Sequence, residues 1–311
     1  MIIMIKWILR LEGGLGNQLF QYAHTRALQI KYGGEIYYDT HAYTSKQIRQ
    51  LSLNHLNIPP HKNSNELSLF EKSNLRLKQF LHNLLMRCYM RNLYRFTQKT
   101  YEKIVRCGIY LQYQTPTFDS FKQPVCKLNY VSGNYLTEPF FAGAEEILRK
   151  ELLVKEPFGQ KSEEVFKHIQ SCNSVCLHVR LGDYLAPEWK DKLYICTPEY
   201  YQKAVELMKM KVQNPVFFIF SNRPKDFEWI KEHIHLDAKI VYVNLGNSDY
   251  EDLKLMYSCK HFIMSNSTYS WWAQWLGEYR QKVVIAPSRF NNYPCWDMSG
   301  IYMDSWNLID L

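Results

Sequence analysis

The first forty residues read as a strand, a loop, a helix and a second strand. Residues 5–11 form a short apolar run that predicts a buried strand. A glycine-rich loop follows, and apolar residues near helical spacing predict a helix over residues 18–31 that ends at Gly33 and Gly34. A second apolar run predicts a strand over residues 35–39. This order predicts a βαβ unit at the start of the chain.

The second half of the chain alternates strand and helix patterns. Short apolar runs predict strands at residues 175–179, 216–220, 239–243, 261–264 and 283–285. Helical spacing predicts helices at residues 198–211, 226–233, 249–259 and 267–276. Such alternation is typical of a parallel sheet with helices on both faces, whose ligands bind at the carboxyl ends of the strands.

A break in the pattern at Pro157 and Gly159 predicts a domain boundary. We therefore expect an α/β protein of two Rossmann-like domains, residues 1–155 and 156–311, that face each other across a cleft. Residues 40–130 are less regular, apart from a helical region predicted at residues 66–106.

The polar side of that helical region is basic. Its cations are Arg76, Lys78, Arg87, Arg91, Arg95, Lys99 and Lys103. We favour an ordinary solvated helix face, and the alternative is a surface that contacts anionic lipid. The net charge of +8 suits an anionic ligand or membrane, and the sequence shows no recognition motif for nucleic acid.

The cysteines and the amino terminus indicate a cytoplasmic protein. None of the eight cysteines forms a C-x-x-C pair, so we expect reduced thiols rather than a zinc site. Lys6 and Arg10 interrupt the first apolar run, and a buried strand fits it better than a signal peptide. No apolar run is long enough to span a membrane.

Residues 13–18, Gly-Gly-Leu-Gly-Asn-Gln, lie between the first strand and the first helix. A dinucleotide fingerprint would have a third glycine, although Asp39 ends the next strand where a ribose-binding acid would lie. A tight turn explains the glycines but not Asn17 and Gln18. Those two amides could hydrogen-bond a sugar or a phosphate, and a dinucleotide oxidoreductase remains an alternative.

A second motif, residues 178–183, follows a predicted strand. His178 and Arg180 are two residues apart, so their side chains share one face of that strand. The planar guanidinium of Arg180 suits a diphosphate, and Gly182 lets the backbone come close to it. The structural alternative is an interdomain salt bridge.

A third motif, residues 265–268, reads Ser-Asn-Ser-Thr between a predicted strand and helix. Capping of the helix explains one of these residues but not a run of four. Helix amino termini bind phosphate, so we expect all three motifs to bind anions. Trp271 and Trp275 share a helix face, and we expect them to be packing residues.

Taken together, the motifs resemble glycosyltransferase family 11, the α-1,2-fucosyltransferases. The matching runs lie at residues 13–23, 178–184, 218–222, 252–256 and 265–272, in the order that the family shows. The resemblance implies a GT-B fold and an enzyme that transfers fucose from GDP-L-fucose to the 2-hydroxyl of a terminal β-galactoside. It also implies inversion at the fucose carbon, surface-glycan or oligosaccharide synthesis, and no metal or other cofactor.

The resemblance also implies roles for particular residues. The amino-terminal domain would bind the acceptor, and residues 156–311 would bind GDP-fucose. Donor-binding residues would be His178, Arg180, Asn222, Asp226, Ser265, Asn266, Ser267 and Thr268. Gly14, Gly16, Asn17 and Gln18 would face the acceptor or the diphosphate.

Two positions depart from the pattern of the family. The family usually has a second arginine after the first, and here that position is Leu181. The family often has Ser-Asp-Asp after the phenylalanine-rich strand, and here Asn222 follows Ser221. In related fucosyltransferases an acid near this place reads the guanine ring. A carboxylate accepts two hydrogen bonds from guanine where an amide accepts one, so the resemblance makes Asp226 the alternative guanine reader.

The expected reaction needs a stabilised leaving group and a base. Arg180 would stabilise the departing diphosphate. Glu188 is the first candidate for the base, by its offset from the second motif in a related α-1,6-fucosyltransferase family, and Asp183 is the other. A non-catalytic nucleotide-sugar or glycan-binding protein is the remaining alternative.

Overall fold

The computed structural model describes residues 4–43, 50–90, 97–112, 121–293 and 298–311. The chain divides into two compact units. The N-terminal unit comprises residues 1–54 and 58–151, and the C-terminal unit comprises residues 55–57 and 152–311.

The N-terminal unit contains a five-stranded parallel sheet. Its strands are β1 (Lys6–Arg10), β2 (Glu35–Asp39), β3 (Lys62–Asn63), β4 (Ile109–Gln112) and β5 (Leu128–Gly133), in the order β3-β2-β1-β5-β4. The helices described in this unit are α1 (Leu15–Tyr32), α2 (Leu69–Met90), α3 (Gln98–Arg106) and α4 (Glu145–Glu151).

The apolar run that predicted the first strand is the centre of this unit. Trp7, Ile8 and Leu9 of β1 are fully buried. Helix α1 ends at Tyr32, and Gly34 then lets the chain turn back beside the start of β1. A Cβ atom at Gly34 would lie 2.4 Å from a backbone oxygen, and its φ of +100° favours glycine.

The C-terminal unit contains a six-stranded parallel sheet. Its strands are β6 (Asn173–Val179), β7 (Pro215–Ser221), β8 (Lys239–Tyr242), β9 (His261–Ile263), β10 (Val284–Pro287) and β11 (Asn307–Ile309). The helices described are α5 (Gln160–Ser171), α6 (Pro187–Leu193), α7 (Pro198–Lys211), α8 (Asp226–His233), α9 (Asp249–Tyr257) and α10 (Thr268–Leu276).

The strand order β11-β10-β9-β6-β7-β8 is that of a doubly wound sheet. The chain builds outward from β6 in one direction and from β9 in the other, so the order reverses between β6 and β9. In open parallel sheets the crevice beyond the carboxyl ends of the strands at such a reversal is where ligands bind.

The elements predicted in the second half of the chain are confirmed, with ends that agree within two residues. Strands β3, β4 and β5 were not predicted, since the pattern over residues 40–130 is less regular. Strand β5 is buried at every position, yet it carries Asn129 and Ser132, and these polar residues hid it. Asn129 donates its side-chain amide to the carbonyl of Cys126 at 2.9 Å, which allows it to be buried.

The helical region predicted at residues 66–106 contains α2 and α3, while residues 91–96, with Arg91 and Arg95, lie outside the described residues. The prediction that Lys78 lies on an exposed basic face was wrong. Lys78 is buried, and its ammonium donates to the carbonyl of Cys107. Large apolar side chains of α2, among them Phe70 and Phe80, are exposed instead.

Candidate functional site

Three neighbouring strands of the C-terminal sheet carry the second and third motifs and Asn222 to one edge. Strand β6 pairs with β7 up to Val179 and Ser221, and with β9 up to Leu177 and Ile263. All three strands are parallel, so the segments that follow them leave the sheet at the same edge. The motifs therefore flank the position where the strand order reverses.

Arg180 follows β6 directly, and its guanidinium is held in place from two sides. Its side chain is only 11% exposed, and one terminal nitrogen donates to the carboxylate of Asp183. The ring of Tyr184 lies below the guanidinium, with its centre 4.9 Å from the guanidinium carbon. The Nε atom is buried and has no hydrogen-bond partner among the described residues. A positioned cation with an unused donor is suited to bind an anion.

The residue after Arg180 faces the apolar core. Leu181 is buried and packs in the apolar core of the C-terminal unit. The turn after β6 therefore presents one guanidinium rather than two.

His178 is a buried neutral histidine. Its Nδ1 atom lies 2.5 Å from the hydroxyl oxygen of Ser270 and 3.1 Å from that of Ser265. Burial, and then the nearby charge of Arg180, lower the pKa of His178 to about 3. The ring thus joins β6 to the loop after β9 without carrying charge, and its predicted contact with a nucleotide stays a prediction.

The polar run at residues 265–268 is engaged mostly inside the protein. Asn266 donates its side-chain amide to the carbonyls of Leu193 at 2.8 Å and Phe290 at 3.0 Å. The hydroxyl of Ser267 caps α10 by accepting from the amide of Tyr269. The amide hydrogens of Asn266 therefore already have partners, and the donor-binding roles of Ser265, Asn266 and Ser267 stay predictions.

Thr268 is the half-buried first residue of α10, and its donor-binding role stays a prediction. The Trp271 and Trp275 side chains are buried and stacked, with ring centres 6.3 Å apart. Their predicted packing role is confirmed.

The turn after β7 contains an ion pair that the sequence reasoning missed. Asn222 is exposed, whereas Asp226 is only 3% exposed. Arg223 donates from Nε and Nη2 to Oδ1 of Asp226, at 3.0 and 2.6 Å. The carboxylate that was the alternative guanine reader is therefore occupied by a neighbouring arginine. The Arg-Pro-Lys-Asp order, with opposite charges three residues apart, was the available signal.

A short turn separates Arg180 from the next helix. Residues Gly182–Leu185 form one turn of 3-10 helix, in which Gly182 has a φ of +66°. The seven-residue helix α6 begins at Pro187. Glu188 lies in its first turn, and its side chain is exposed. This position leaves the Glu188 carboxylate open to solvent.

The glycine loop of the N-terminal unit begins α1, with Gly14 as its cap. Gly13 has a φ of +81°, which favours glycine, and a Cβ atom there would lie 2.8 Å from the side-chain amide nitrogen of Asn17. Gly16 is buried and Asn17 is half-buried. These positions allow the loop to start the helix tightly against β1.

The side chain of Gln18 makes its hydrogen bonds inside the protein, and its ligand-binding role stays a prediction. Its side-chain amide is fully buried and donates to the carbonyls of Gln50 at 2.7 Å and Gly13 at 3.1 Å. Its oxygen accepts from the amide of Ser52 at 3.0 Å. Gln18 therefore connects the glycine loop to residues 50–52 and has no free donor.

The N-terminal unit also contains a polar cavity of about 360 Å³. It lies beyond the ends of β2 and β3 and is lined by Asp39, Asn63, Lys72, Arg76 and Gln79, among others. Asp39 accepts from the side chain of Gln79 at 2.8 Å and from the backbone of His41 at 3.2 Å. The sequence analysis identified Asp39 but not the cavity, because Lys72 and Arg76, on α2, lie more than thirty residues after Asp39 in the sequence.

Within the described ranges, no group of three histidine, cysteine or acidic side chains could hold a metal ion. Metal independence stays a prediction. Across those same residues, no helix is both long enough and apolar enough to cross a membrane. The seven cysteines that the structure describes are free thiols.

Solved structures share the fold of this chain. A fucosyltransferase NodZ structure from Bradyrhizobium aligns with a TM-score of 0.53 at 14% identity, over 87% of this chain and 91% of NodZ. A NodZ α-1,6-fucosyltransferase structure soaked with GDP-fucose gives a TM-score of 0.52 at 14% identity, over 88% and 92% of the two chains. The predicted GT-B-like class is thereby confirmed.

Sequence relatives are glycosyltransferases. An O-antigen biosynthesis glycosyltransferase, WbnK of Escherichia coli, is 27% identical over 95% of this chain and 98% of its own length. An α-1,2-colitosyltransferase of Escherichia coli is 28% identical over 90% and 91%. Galactoside α-(1,2)-fucosyltransferase 1 of Saimiri boliviensis boliviensis is 26% identical over 47% of this chain and 42% of its own.

The profile of the family described as glycosyl transferase family 11 matches residues 4–310. A match over nearly the whole chain excludes the oxidoreductase alternative, which depended on the first βαβ unit alone. It also favours an enzyme over a non-catalytic binding protein. The chain therefore belongs to glycosyl transferase family 11 and is a glycosyltransferase.

Proposed function

We propose that this enzyme transfers L-fucose from GDP-L-fucose to the 2-hydroxyl of a terminal β-galactoside, with inversion at the anomeric carbon. The observation that carries the proposal is the positioned guanidinium of Arg180 at the strand reversal, with its Nε donor unused. The α-1,2-colitosyltransferase and α-(1,2)-fucosyltransferase relatives support the linkage.

The transfer is an in-line displacement. The bond between the fucose anomeric carbon and the β-phosphate oxygen breaks, and the acceptor oxygen forms the new bond from the opposite side. Negative charge grows on the departing GDP, where Arg180 stabilises it. Loss of a donor of this kind costs about 3 kcal/mol of transition-state stabilisation. In this proposal the arginine meets that charge without a metal ion.

The acceptor hydroxyl must lose its proton as the bond forms. Asp183 already accepts a hydrogen bond from Arg180, so we assign it to holding the guanidinium. Glu188 is exposed in the first turn of α6, and its carboxylate is the group to which we assign the proton. A weak base suffices, because a loose transition state leaves little charge on the incoming oxygen until late.

The polar cavity of the N-terminal unit is the place where we propose that the acceptor glycan binds. Asp39 and the side-chain amides of Asn63 and Gln79 can hydrogen-bond sugar hydroxyls. Lys72 and Arg76 also line the cavity, and no ion pair is described for either, so the cavity favours an acceptor with an acidic substituent.

This assignment is tested with the double variant Lys72→Gln/Arg76→Gln. We expect KM for a galactoside bearing a uronic acid to rise about 10-fold, since two charge-assisted contacts are lost, while KM for GDP-fucose stays unchanged. Lys103→Gln/Arg106→Gln removes equal charge from exposed positions on α3 and is the matched control. If the cavity variant and the wild type have equal KM values for the acidic galactoside, the acceptor does not bind in this cavity.

Helix α2 supports a second part of the proposal, peripheral contact with an anionic membrane. Phe70 is 80% exposed and Phe80 is 65% exposed, and Leu69, Leu77 and Leu84 are exposed as well. Leu77, Phe80 and Leu84 are three and four residues apart, so they share one helix face. Apolar side chains at this exposure are typical of a face that inserts into the boundary of a bilayer.

The charge beside this apolar face is positive. Arg87 is exposed three residues after Leu84, and the sequence has no acidic residue between Lys72 and Tyr101. A symmetric contact with a second copy would bring the Arg87 side chains of the two copies toward one another. Anionic lipid pairs such a cation instead, at about 1 kcal/mol for a cation near the surface.

The donor and the linkage are tested with a panel of nucleotide sugars and acceptors. We expect the purified enzyme to transfer fucose from GDP-L-fucose to a β-galactoside and to give an α-1,2 linkage by NMR. GDP-colitose is the competing donor, because one relative is a colitosyltransferase. Transfer from GDP-colitose but not from GDP-L-fucose would contradict the proposed donor. A linkage other than α-1,2 would contradict the proposed linkage.

A further inference from the structure

The guanidinium of Arg223 lies against the turn that follows Arg180. A Cβ atom built on Gly182 would be 3.9 Å from both Cζ and Nε of Arg223. Since Val179 and Ser221 are paired across β6 and β7, Arg180 and Arg223 follow neighbouring strands at the same sheet edge. The guanidinium of Arg223 therefore lies beside the turn that follows Arg180, 43 positions earlier in the sequence.

Asp226 fixes the orientation of Arg223. Two guanidinium nitrogens donate to one oxygen of this buried carboxylate, at 3.0 and 2.6 Å. The other carboxylate oxygen lies 3.3 Å from the hydroxyl of Ser221, which also donates to the carbonyl of Val179 at 2.8 Å. The Arg223 side chain remains 41% exposed, so donors beyond these two reach solvent.

The two arginines make the same kind of ion pair. Each is paired with an aspartate three residues further along the chain, Arg180 with Asp183 and Arg223 with Asp226. A diphosphate diester carries two negative charges, one on each phosphate. The turn after β6 supplies a single guanidinium because Leu181 is buried in the core. A guanidinium on the neighbouring strand can pair with the second phosphate.

We propose that Arg223 binds the diphosphate of the donor together with Arg180, and that Asp226 positions Arg223 rather than reading the guanine base. This inference rests on the proposed function in one respect, that the ligand is a guanosine diphosphate sugar. It assigns a phosphate-binding role to a residue of the β7 turn and leaves base recognition to other groups, such as the exposed Asn222.

Calorimetric binding of guanosine, GMP and GDP in the absence of acceptor tests the inference. For Arg223→Gln we expect the Kd of GDP to rise about 10-fold or more, since a charge-assisted bidentate contact is lost. The Kd of GMP should rise less, and that of guanosine should not change. Arg280→Gln removes the same charge from an exposed position after α10 and should bind GDP as the wild type does.

Arg223→Gln leaves the buried carboxylate of Asp226 without its cation, which can destabilise the fold. The double variant Arg223→Gln/Asp226→Asn removes both charges and keeps the test valid if the single variant unfolds. We expect it to show the same loss of GDP affinity with guanosine binding unchanged, and Arg223→Lys to recover part of the affinity.

A double variant that binds GDP as tightly as the wild type would overturn the inference. An equal loss of guanosine and GDP affinity would also overturn it, because that pattern assigns the turn to the base. Absence of fucose transfer by a wild-type enzyme that binds GDP with the expected pattern would contradict the proposed function and leave this inference standing.

Discussion

The guanidinium carbon of Arg180 lies 4.9 Å from the centre of the Tyr184 ring. The ring therefore holds the cation by a cation–π contact, and the Tyr184 hydroxyl donates to the carbonyl of Asn266 at 3.0 Å. Tyr184 thus connects the arginine of the second motif to the backbone of the third.

Two substitutions separate these contacts. Tyr184→Phe keeps the ring and loses one hydrogen bond, so we expect kcat/KM to fall by less than about 10-fold. Tyr184→Leu loses the ring as well, and we expect a fall of about 100-fold because Arg180 is no longer oriented. Steady-state kinetics with GDP-fucose measure both. Equal activities for the two variants would show that the ring does not position Arg180.

Glu188→Gln tests the base. We expect kcat to fall by about 100-fold or more with KM for GDP-fucose unchanged, since the amide cannot accept the proton. The acidic limb of the pH–rate profile should disappear in this variant. Glu164→Gln, at an exposed position on α5, is the matched control. A Glu188→Gln enzyme with the wild-type profile would assign the proton to another group.

The side chains of Asn266 and Gln18 show what a single sequence can and cannot indicate. Periodicity placed the strand ends and therefore the edge of the sheet where the motifs lie, because burial follows the apolar pattern. Periodicity does not tell whether a polar side chain faces a ligand or a carbonyl. Asn266 and Gln18 looked available in the sequence, and both donate to backbone carbonyls in the structure.

Other parts of the site depend on contacts between distant segments. Arg223 lies beside the turn after β6 because β6 pairs with β7. Lys72 and Arg76 of α2 line the cavity together with residues that follow β2 and β3. No local pattern joins these residues. Strand β5 was missed for a different reason, because the polar residues Asn129 and Ser132 interrupt its apolar pattern although both are buried.

Buried histidines predict loss of stability in acid. His24 is fully buried, its Nδ1 donates to the carbonyl of Phe140 at 2.7 Å, and burial lowers its pKa to about 4. Below pH about 6.5, His24 binds a proton in the unfolded chain but stays neutral in the folded chain. Stability is therefore complete above that pH and falls as the pH drops toward about 4.

Urea unfolding between pH 7 and 4 measures this effect. We expect the free energy of unfolding of the N-terminal unit to fall by about 1 kcal/mol per pH unit for each such histidine. His24→Asn keeps an amide near the Phe140 carbonyl and should flatten the slope. A slope identical to that of the wild type would show that His24 does not titrate in this range.

The exposed face of α2 predicts binding to vesicles. We expect Leu77→Gln/Phe80→Gln to weaken co-sedimentation with phosphatidylglycerol vesicles by about 10-fold or more, because apolar insertion is lost. Binding to phosphatidylcholine vesicles should be weak, and salt should reduce binding to the anionic ones.

Met210→Gln is the matched control for that experiment, since Met210 on α7 is 77% exposed and belongs to the other unit. It should sediment as the wild type does. If the Leu77→Gln/Phe80→Gln variant co-sediments with anionic vesicles as the wild type does, the apolar face does not bind lipid.

The most direct test of the account is the activity and GDP affinity of Arg180→Ala and Arg180→Lys beside the wild type. We predict that Arg180→Ala folds, loses transfer by about 100-fold or more and binds GDP weakly, and that Arg180→Lys recovers a small part of the activity, because a point charge replaces the planar fork. An Arg180→Ala enzyme that transfers fucose and binds GDP as the wild type does would contradict the central claim.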